Sequence, residues 1–125
     1  MPTVGDIFRG RMGKALEASR QAIADPNFNA DPRIQAAFIV GETTANFLAA
    51  MADFTDYIQT GEASSKRQER IQRALAPARA ARVAAARGVA TGKWDEFNKI
   101  VEQFGLGTDD GTDGADPGGT NGDGD

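Results

Sequence analysis

The sequence predicts an all-α protein, a small bundle built on a long antiparallel helical hairpin. Apolar residues recur at steps of three and four in four segments, and capping residues, Gly and Pro separate those segments. No run of alternating β-branched and aromatic residues predicts a strand. A length of 125 residues suits one domain. We place that domain at residues 1–106 and expect residues 107–125 to form a disordered tail.

The first two helices have clear boundaries. We predict the first over residues 3–24, because Thr3 suits an N-cap and Asp6 takes the acidic position of a capping box. We predict the second over residues 32–59, because Asp31 precedes a proline that fits the first helical position.

The second helix is apolar on more than one side, so we expect it to be the central helix. Its two apolar stripes follow helical spacing. The first consists of Ala37, Val40, Thr44, Phe47, Met51, Phe54 and Ile58, and the second of Ile34, Phe38, Ala45, Leu48 and Ala52.

The third helix is predicted over residues 64–91, with a kink or break near Pro77, since proline removes one backbone hydrogen bond. A stripe of small residues in its second half is suited to close helix packing, namely Ala78, Ala81, Ala85 and Gly88. The fourth helix is predicted over residues 94–104, and Gly105 followed by Leu106 fits a C-terminal cap. The similar lengths of helices two and three predict the antiparallel hairpin.

The last 21 residues contain eight Gly, six Asp and no basic residue, which indicates a solvated, disordered segment. The alternating oxygen ligands Asn121, Asp123 and Asp125 resemble part of a calcium loop, but the complete loop pattern is missing. We therefore expect no metal site in the tail.

The composition excludes several function classes. The chain has no His and no Cys, which removes a Ser-His-Asp triad, a cysteine nucleophile, disulfides and a conventional zinc site. The remaining acid–base candidates, Glu42, Asp53 and Asp56, are better interpreted as solvated groups or as partners of the helix-three arginines. We expect no enzymatic activity, cofactor or metal.

No secretory signal or membrane span is predicted, since Glu42 interrupts the most apolar stretch. We expect a cytoplasmic protein or a component of a virus particle, without membrane association.

Two glycine motifs resemble phosphate-binding loops. Gly10-Arg11-Met12-Gly13 resembles the GxxG loop of KH nucleic-acid-binding domains, but those domains need a sheet that this chain is not predicted to contain. We interpret the two glycines as small residues at a close helix contact. The segment 88–93 lacks the glycine spacing and the Ser or Thr of a phosphate-binding loop.

The leading hypothesis is a non-enzymatic protein-interaction or assembly module, such as a small phage or bacterial accessory protein. We expect it to bind a protein partner or itself as a homo-oligomer, because its large apolar residues exceed what a thin hairpin covers. The predicted contact residues are Phe38, Phe47, Met51, Phe54, Trp94 and Phe97.

The alternative is binding of nucleic acid or another polyanion through the basic helix 66–93, with the acidic tail competing for that surface. This stretch contains one acid, Glu69, and eight bases. The candidate residues are Lys66, Arg67, Arg70, Arg73, Arg79, Arg82, Arg87 and Lys93. Against this alternative, the acidic segment 31–62 can pair with the same bases inside the fold.

Overall fold

A computed structural model describes residues 3–60 and 64–107. These residues form four helices and no strand, which confirms the predicted all-α fold. The helices are α1 (Val4–Ala24), α2 (Pro32–Thr60), α3 (Ser65–Thr91) and α4 (Asp95–Phe104). The predicted tail, apart from Gly107, lies outside the described residues, as does the partial calcium pattern within it.

Side-chain caps begin the two N-terminal helices as the sequence predicts. Thr3 and Asp6 form a reciprocal capping box, in which each side chain accepts a hydrogen bond from the other residue's backbone N–H at 3.1 and 3.0 Å. At α2 the Asp31 carboxylate accepts from the Arg33 backbone N–H at 2.9 Å. These contacts satisfy backbone donors that the first helical turn leaves unpaired.

Glycines end α3 and α4. Gly92 and Gly105 have φ values of 73° and 64°, in the left-handed region that glycine enters without steric cost. After Gly105 the backbone N–H of Leu106 donates to the Val101 carbonyl at 2.9 Å. The predicted C-terminal cap of α4 is therefore present.

Pro77 lies inside α3, and the helix continues through it as one element. Of the kink or break expected near Pro77, the break does not occur. Proline removes a single N–H donor, so the neighbouring turns and the packing of the flanking alanines keep the helix intact. Ala78, directly after the proline, and Ala81, one turn further on, are among the most buried of the described residues.

The central helix, α2, contacts both α1 and α3. Toward α1, the Ser19 hydroxyl donates to the Phe38 carbonyl at 3.1 Å, and Arg9 forms an ion pair with Asp56. Residues early in α1 thus contact the end of α2, and residues late in α1 contact its beginning. This is the pattern of contacts that two antiparallel helices make.

The contacts between α2 and α3 follow the same antiparallel pattern. Near the end of α2, Asp53 lies 3.3 Å from Arg70 at the start of α3. Near the beginning of α2, Ala36 and Ile39 share a buried cluster with Ala81 of α3 and Phe97 of α4. The short α4 therefore covers the far end of the α2–α3 pair.

Helices α1 and α3 form no comparable interface with each other in the described part of the chain. They pack on different sides of α2, so the three long helices make an open layer. The core within this layer is built mainly from alanines, and no large side chain among the described residues is completely enclosed. Small side chains let the helix axes approach closely, but each buries little apolar area.

The helix caps predict a dependence of stability on acid. Hydrogen bonds from the Thr3 backbone N–H and hydroxyl hold the pKa of Asp6 below its ordinary value of 3.8, and hydrogen bonds from Arg33 do the same for the pKa of Asp31. A carboxyl whose pKa is lower in the folded state stabilises the fold above its unfolded pKa and loses that contribution as the pH falls.

We therefore expect the thermal unfolding midpoint to fall as the pH drops below about 4, where these carboxylates begin to bind protons. Circular dichroism melts between pH 3 and pH 7 measure this dependence. The double variant Asp6→Asn/Asp31→Asn keeps a capping oxygen but cannot titrate there, so its midpoint should fall less steeply. An unchanged slope in that variant contradicts the assignment.

Candidate interaction face on the central helix

The side of α2 that faces α1 is lined by small residues. Gly41 lies directly against the α1 backbone, because a β-carbon built there would lie 2.8 Å from the Ala15 carbonyl oxygen. Ala45, Leu48 and Ala52 follow Gly41 at helical spacing and are 3, 9 and 3% exposed. The α1-facing side is therefore covered along most of its length.

A second covered side faces α3. It contains Ala36, Ile39, Thr43 and Ala50, which are 4, 7, 5 and 2% exposed. None of these four residues belongs to either apolar stripe identified in the sequence. Three of the four are alanine or threonine, which give a weak hydrophobic signal beside the larger neighbouring side chains, and Ile39 alone does not form a stripe.

The side chains of the first predicted stripe lie between these covered sides. We call this set the apolar strip: Ala37, Val40, Thr44, Phe47, Met51, Phe54 and Ile58. No member is fully buried; Ala37 and Ile58 are exposed, the latter by 53%, and the others are half-buried. The longest run of large apolar residues on α2 thus remains partly open, while mostly small residues, together with Ile39 and Leu48, make the helix contacts.

The opposite edge of α2 is charged. At this edge Asp53 pairs with Arg67 and Arg70 of α3, at 3.6 and 3.3 Å, and Asp56 pairs with Arg9 of α1. We call it the ion-pair edge. Its pairs are partly exposed, so they orient the neighbouring helices more than they stabilise the fold.

Arg67 joins the end of α2 to the start of α3. Its guanidinium carbon lies 3.4 Å from the centre of the Tyr57 ring, which gives a cation–π contact. Its Nε is buried without a hydrogen-bond partner and lies 3.6 Å from Asp53. Among the predicted polyanion-binding residues, this arginine is thus engaged by contacts within the fold, with 29% of its side chain exposed.

The six predicted hydrophobic contact residues occupy different places. Phe47, Met51 and Phe54 belong to the apolar strip. Phe38 packs edge-to-face on Phe28, with ring centres 5.4 Å apart. The other two, Trp94 and Phe97, pack edge-to-face on each other at 5.7 Å and help attach α4.

Phe97 is only 3% exposed. Its ring therefore offers no surface to a partner in this conformation, and Trp94 is half-buried beside it. The structure brings three of the six residues together on one open surface.

The eight predicted polyanion-binding residues do not form one surface. Arg67 and Arg70 pair with Asp53, and Arg87 pairs with Glu96 at 2.6 Å. The remaining bases are exposed: Lys66, Arg73, Arg79, Arg82 and Lys93. These five point in several directions around α3 and the loop that follows it, because their spacing does not match one helical face.

The GxxG motif makes no close helix contact, which corrects our interpretation of it. Gly10 and Gly13 are exposed, and a β-carbon at either would meet nothing within 4 Å. The close approach that those glycines were expected to make occurs instead at Gly41. A neighbouring helix, which local sequence does not reveal, decides which glycine is needed for packing.

The described residues contain no metal-binding group and no membrane-spanning helix. Residues 3–60 and 64–107 contain no group of three or more acidic, His or Cys side chains that could hold a metal ion. In the same residues no helix has the length and apolar character to cross a membrane. No known protein family, curated protein or solved structure matches this chain.

Proposed function

We propose that this chain is a non-enzymatic protein-interaction module that docks through the apolar strip of α2. The observation that carries the proposal is the partial exposure of the strip on the central helix, between two sides that α1 and α3 cover. Water contacts these side chains in the isolated chain, although α2 is the most apolar helix of the protein.

The spacing of the strip supports a helical partner. Val40, Thr44, Phe47, Met51 and Phe54 alternate steps of four and three, the spacing by which one helix packs along another. Burying a large apolar side chain contributes about 1.5–3 kcal/mol, and a half-buried one gains part of that on docking. Several such side chains in one row are therefore a strong anchor for a partner.

Site-specific photo-crosslinking tests the proposal. A benzophenone amino acid at Phe47 should crosslink to one defined protein in an extract of the natural source, identified by mass spectrometry. The same group at Asn46, an exposed neighbour outside the strip, is the matched control. Adding Met51→Glu to the Phe47 probe should abolish the crosslink, since a charge in the strip opposes docking.

Equal crosslinking from both positions, or a crosslink that survives Met51→Glu, contradicts docking through this strip. Circular dichroism of the Met51→Glu variant checks that the helices persist. Because Met51 is half-buried at an open surface, we expect its helical signal to match that of the unsubstituted protein.

A further inference from the structure

The unpaired charges beside the middle of the apolar strip are of one sign. The three acids of α2 within its described residues, Glu42, Asp53 and Asp56, project away from Met51 at the middle of the strip by more than a right angle. Their negative charges therefore lie toward the ion-pair edge. On the strip side of α2 itself Arg33 is charged, but it lies at the N-terminal end of the helix and is paired with Asp31 at 3.1 Å. Along the middle of the strip the nearest charged residues come from the neighbouring helices.

On α1 the strip side contains Arg11. Arg9 reaches Asp56 at the ion-pair edge, and Arg11 follows two residues later, about 200° around the helix. Arg11 therefore projects on the side of α1 nearer the apolar strip. It is exposed, and no ion pair involves it within the described residues.

On α3 the strip side contains Arg79 and Arg82. Arg70 pairs with Asp53 at the ion-pair edge, and Arg79 and Arg82 project about 180° and 120° away from Arg70. Both are exposed and lack an ion pair in the described part of the chain. An arginine rim of Arg11, Arg79 and Arg82 therefore flanks the strip on its two sides.

At the end of the strip formed by Ile58, an exposed apolar residue of α1, Ile7, extends the apolar surface. Ile58 follows Asp56 by two residues and Ile7 precedes Arg9 by two, so both project away from that ion pair. Ile7 is 48% and Ile58 is 53% exposed. The open surface thus consists of the apolar strip, the exposed isoleucines Ile7 and Ile58 at one end of it, and the arginine rim on both sides.

We propose that the occupant of this surface is an acidic amphipathic helix of another protein. This inference rests on the proposed function and adds the chemistry of the partner. Apolar residues at steps of three and four would pack on the strip, and Glu or Asp beside them would pair with the arginine rim. Opposite charges at the rim speed association and select the partner.

The same charges disfavour a second copy of this chain. If two identical surfaces packed face to face, the six arginines of the two rims would lie close together and repel one another. The acids of α2 lie on the opposite edge and could not pair with them. The homo-oligomer expected from the sequence therefore becomes an alternative outcome of the test. From Ala37 to Ile58 the strip is about 32 Å long, so a helix of about 20 residues matches it.

Binding of two synthetic helical peptides tests the inference. Both carry Leu at alternating steps of three and four, and the flanking positions are Glu in one peptide and Lys in the other. Fluorescence anisotropy of the labelled peptides with the full chain should show at least tenfold tighter binding of the Glu peptide. Raising the salt from about 50 to 200 mM should reduce that preference.

Charge reversal identifies the surface. Arg79→Glu/Arg82→Glu should weaken binding of the Glu peptide at least tenfold and strengthen that of the Lys peptide. The matched control Lys66→Glu/Arg73→Glu makes the same charge change on the Arg70 side of α3 and should alter either affinity less than threefold. Equal effects of the two double variants overturn the inference.

Three further outcomes also overturn it: no binding of the Glu peptide, equal binding of both peptides, or binding to anionic phospholipid vesicles in place of the peptides. A concentration-dependent dimer in sedimentation equilibrium, abolished by Met51→Glu, would assign the strip to a second copy. If one of these results accompanies a Phe47-specific crosslink, the proposed function survives and only the acidic partner is wrong.

Discussion

Replacing Gly41 with alanine is expected to destabilise the protein by about 2–3 kcal/mol, the cost of overpacking a close contact. The added β-carbon would lie 2.8 Å from the Ala15 carbonyl oxygen and 3.0 Å from the Ser19 β-carbon. The oxygen belongs to the backbone of α1, so a side-chain rotation cannot relieve the clash. The two helices must separate, which also strains the Ser19–Phe38 hydrogen bond.

Denaturant unfolding followed by circular dichroism measures this effect. The matched controls are Gly10→Ala and Gly13→Ala, which sit inside α1 with nothing near the added methyl group. The free energy of unfolding of each control variant should rise by about 0.5–1 kcal/mol, because glycine is a poor helix former. If Gly41→Ala also gains stability, α1 and α2 do not approach at Gly41 as the structure describes.

Replacing Gly88 with alanine has the second large expected effect, a loss of about 2 kcal/mol. A β-carbon at Gly88 would lie 2.5 Å from the Trp94 ring. The indole is rigid and packs edge-to-face on Phe97, so it must move as a unit. We expect the change to loosen α4 from α3 while the contacts between α1 and α2 persist.

Trp94 is the only tryptophan of the chain, so its fluorescence reports on this site directly. In Gly88→Ala the emission should shift to longer wavelength, and amide hydrogen exchange should increase in α4. Val89→Ala is the control, because Val89 is 63% exposed on the next position of the helix. Unchanged emission in Gly88→Ala means that the indole does not cover that glycine.

Local chemistry made the helix boundaries predictable. The caps at Thr3, Asp31 and Gly105 depend on residues only a few positions away, so the sequence contains their whole explanation. Pro77 was harder, because the cost of one missing hydrogen bond is local but the packing that offsets it is not. The residue alone left a kink and a break open, and the continuous helix excludes the break.

The sequence predicted which residues form the apolar row of the candidate site, but it did not predict which sides of α2 the neighbouring helices would cover. The row containing Val40, Phe47 and Met51 was visible as an apolar stripe. The surplus of large apolar residues predicted that part of this row would meet a partner, but the pattern did not show that the covered sides would use Gly41, Ala36 and other small residues. Close helix contact selects small side chains, and these give little signal in a hydrophobic pattern.

The sequence by itself determined the four helices, their caps and the exclusion of histidine and cysteine chemistry, because these depend on residue type and short spacing. Only the tertiary structure decided which sides of α2 are covered, which glycine lies at a helix contact and which arginines pair with acids. These outcomes depend on the directions in which α1 and α3 approach α2, and contacts distant in the chain set those directions.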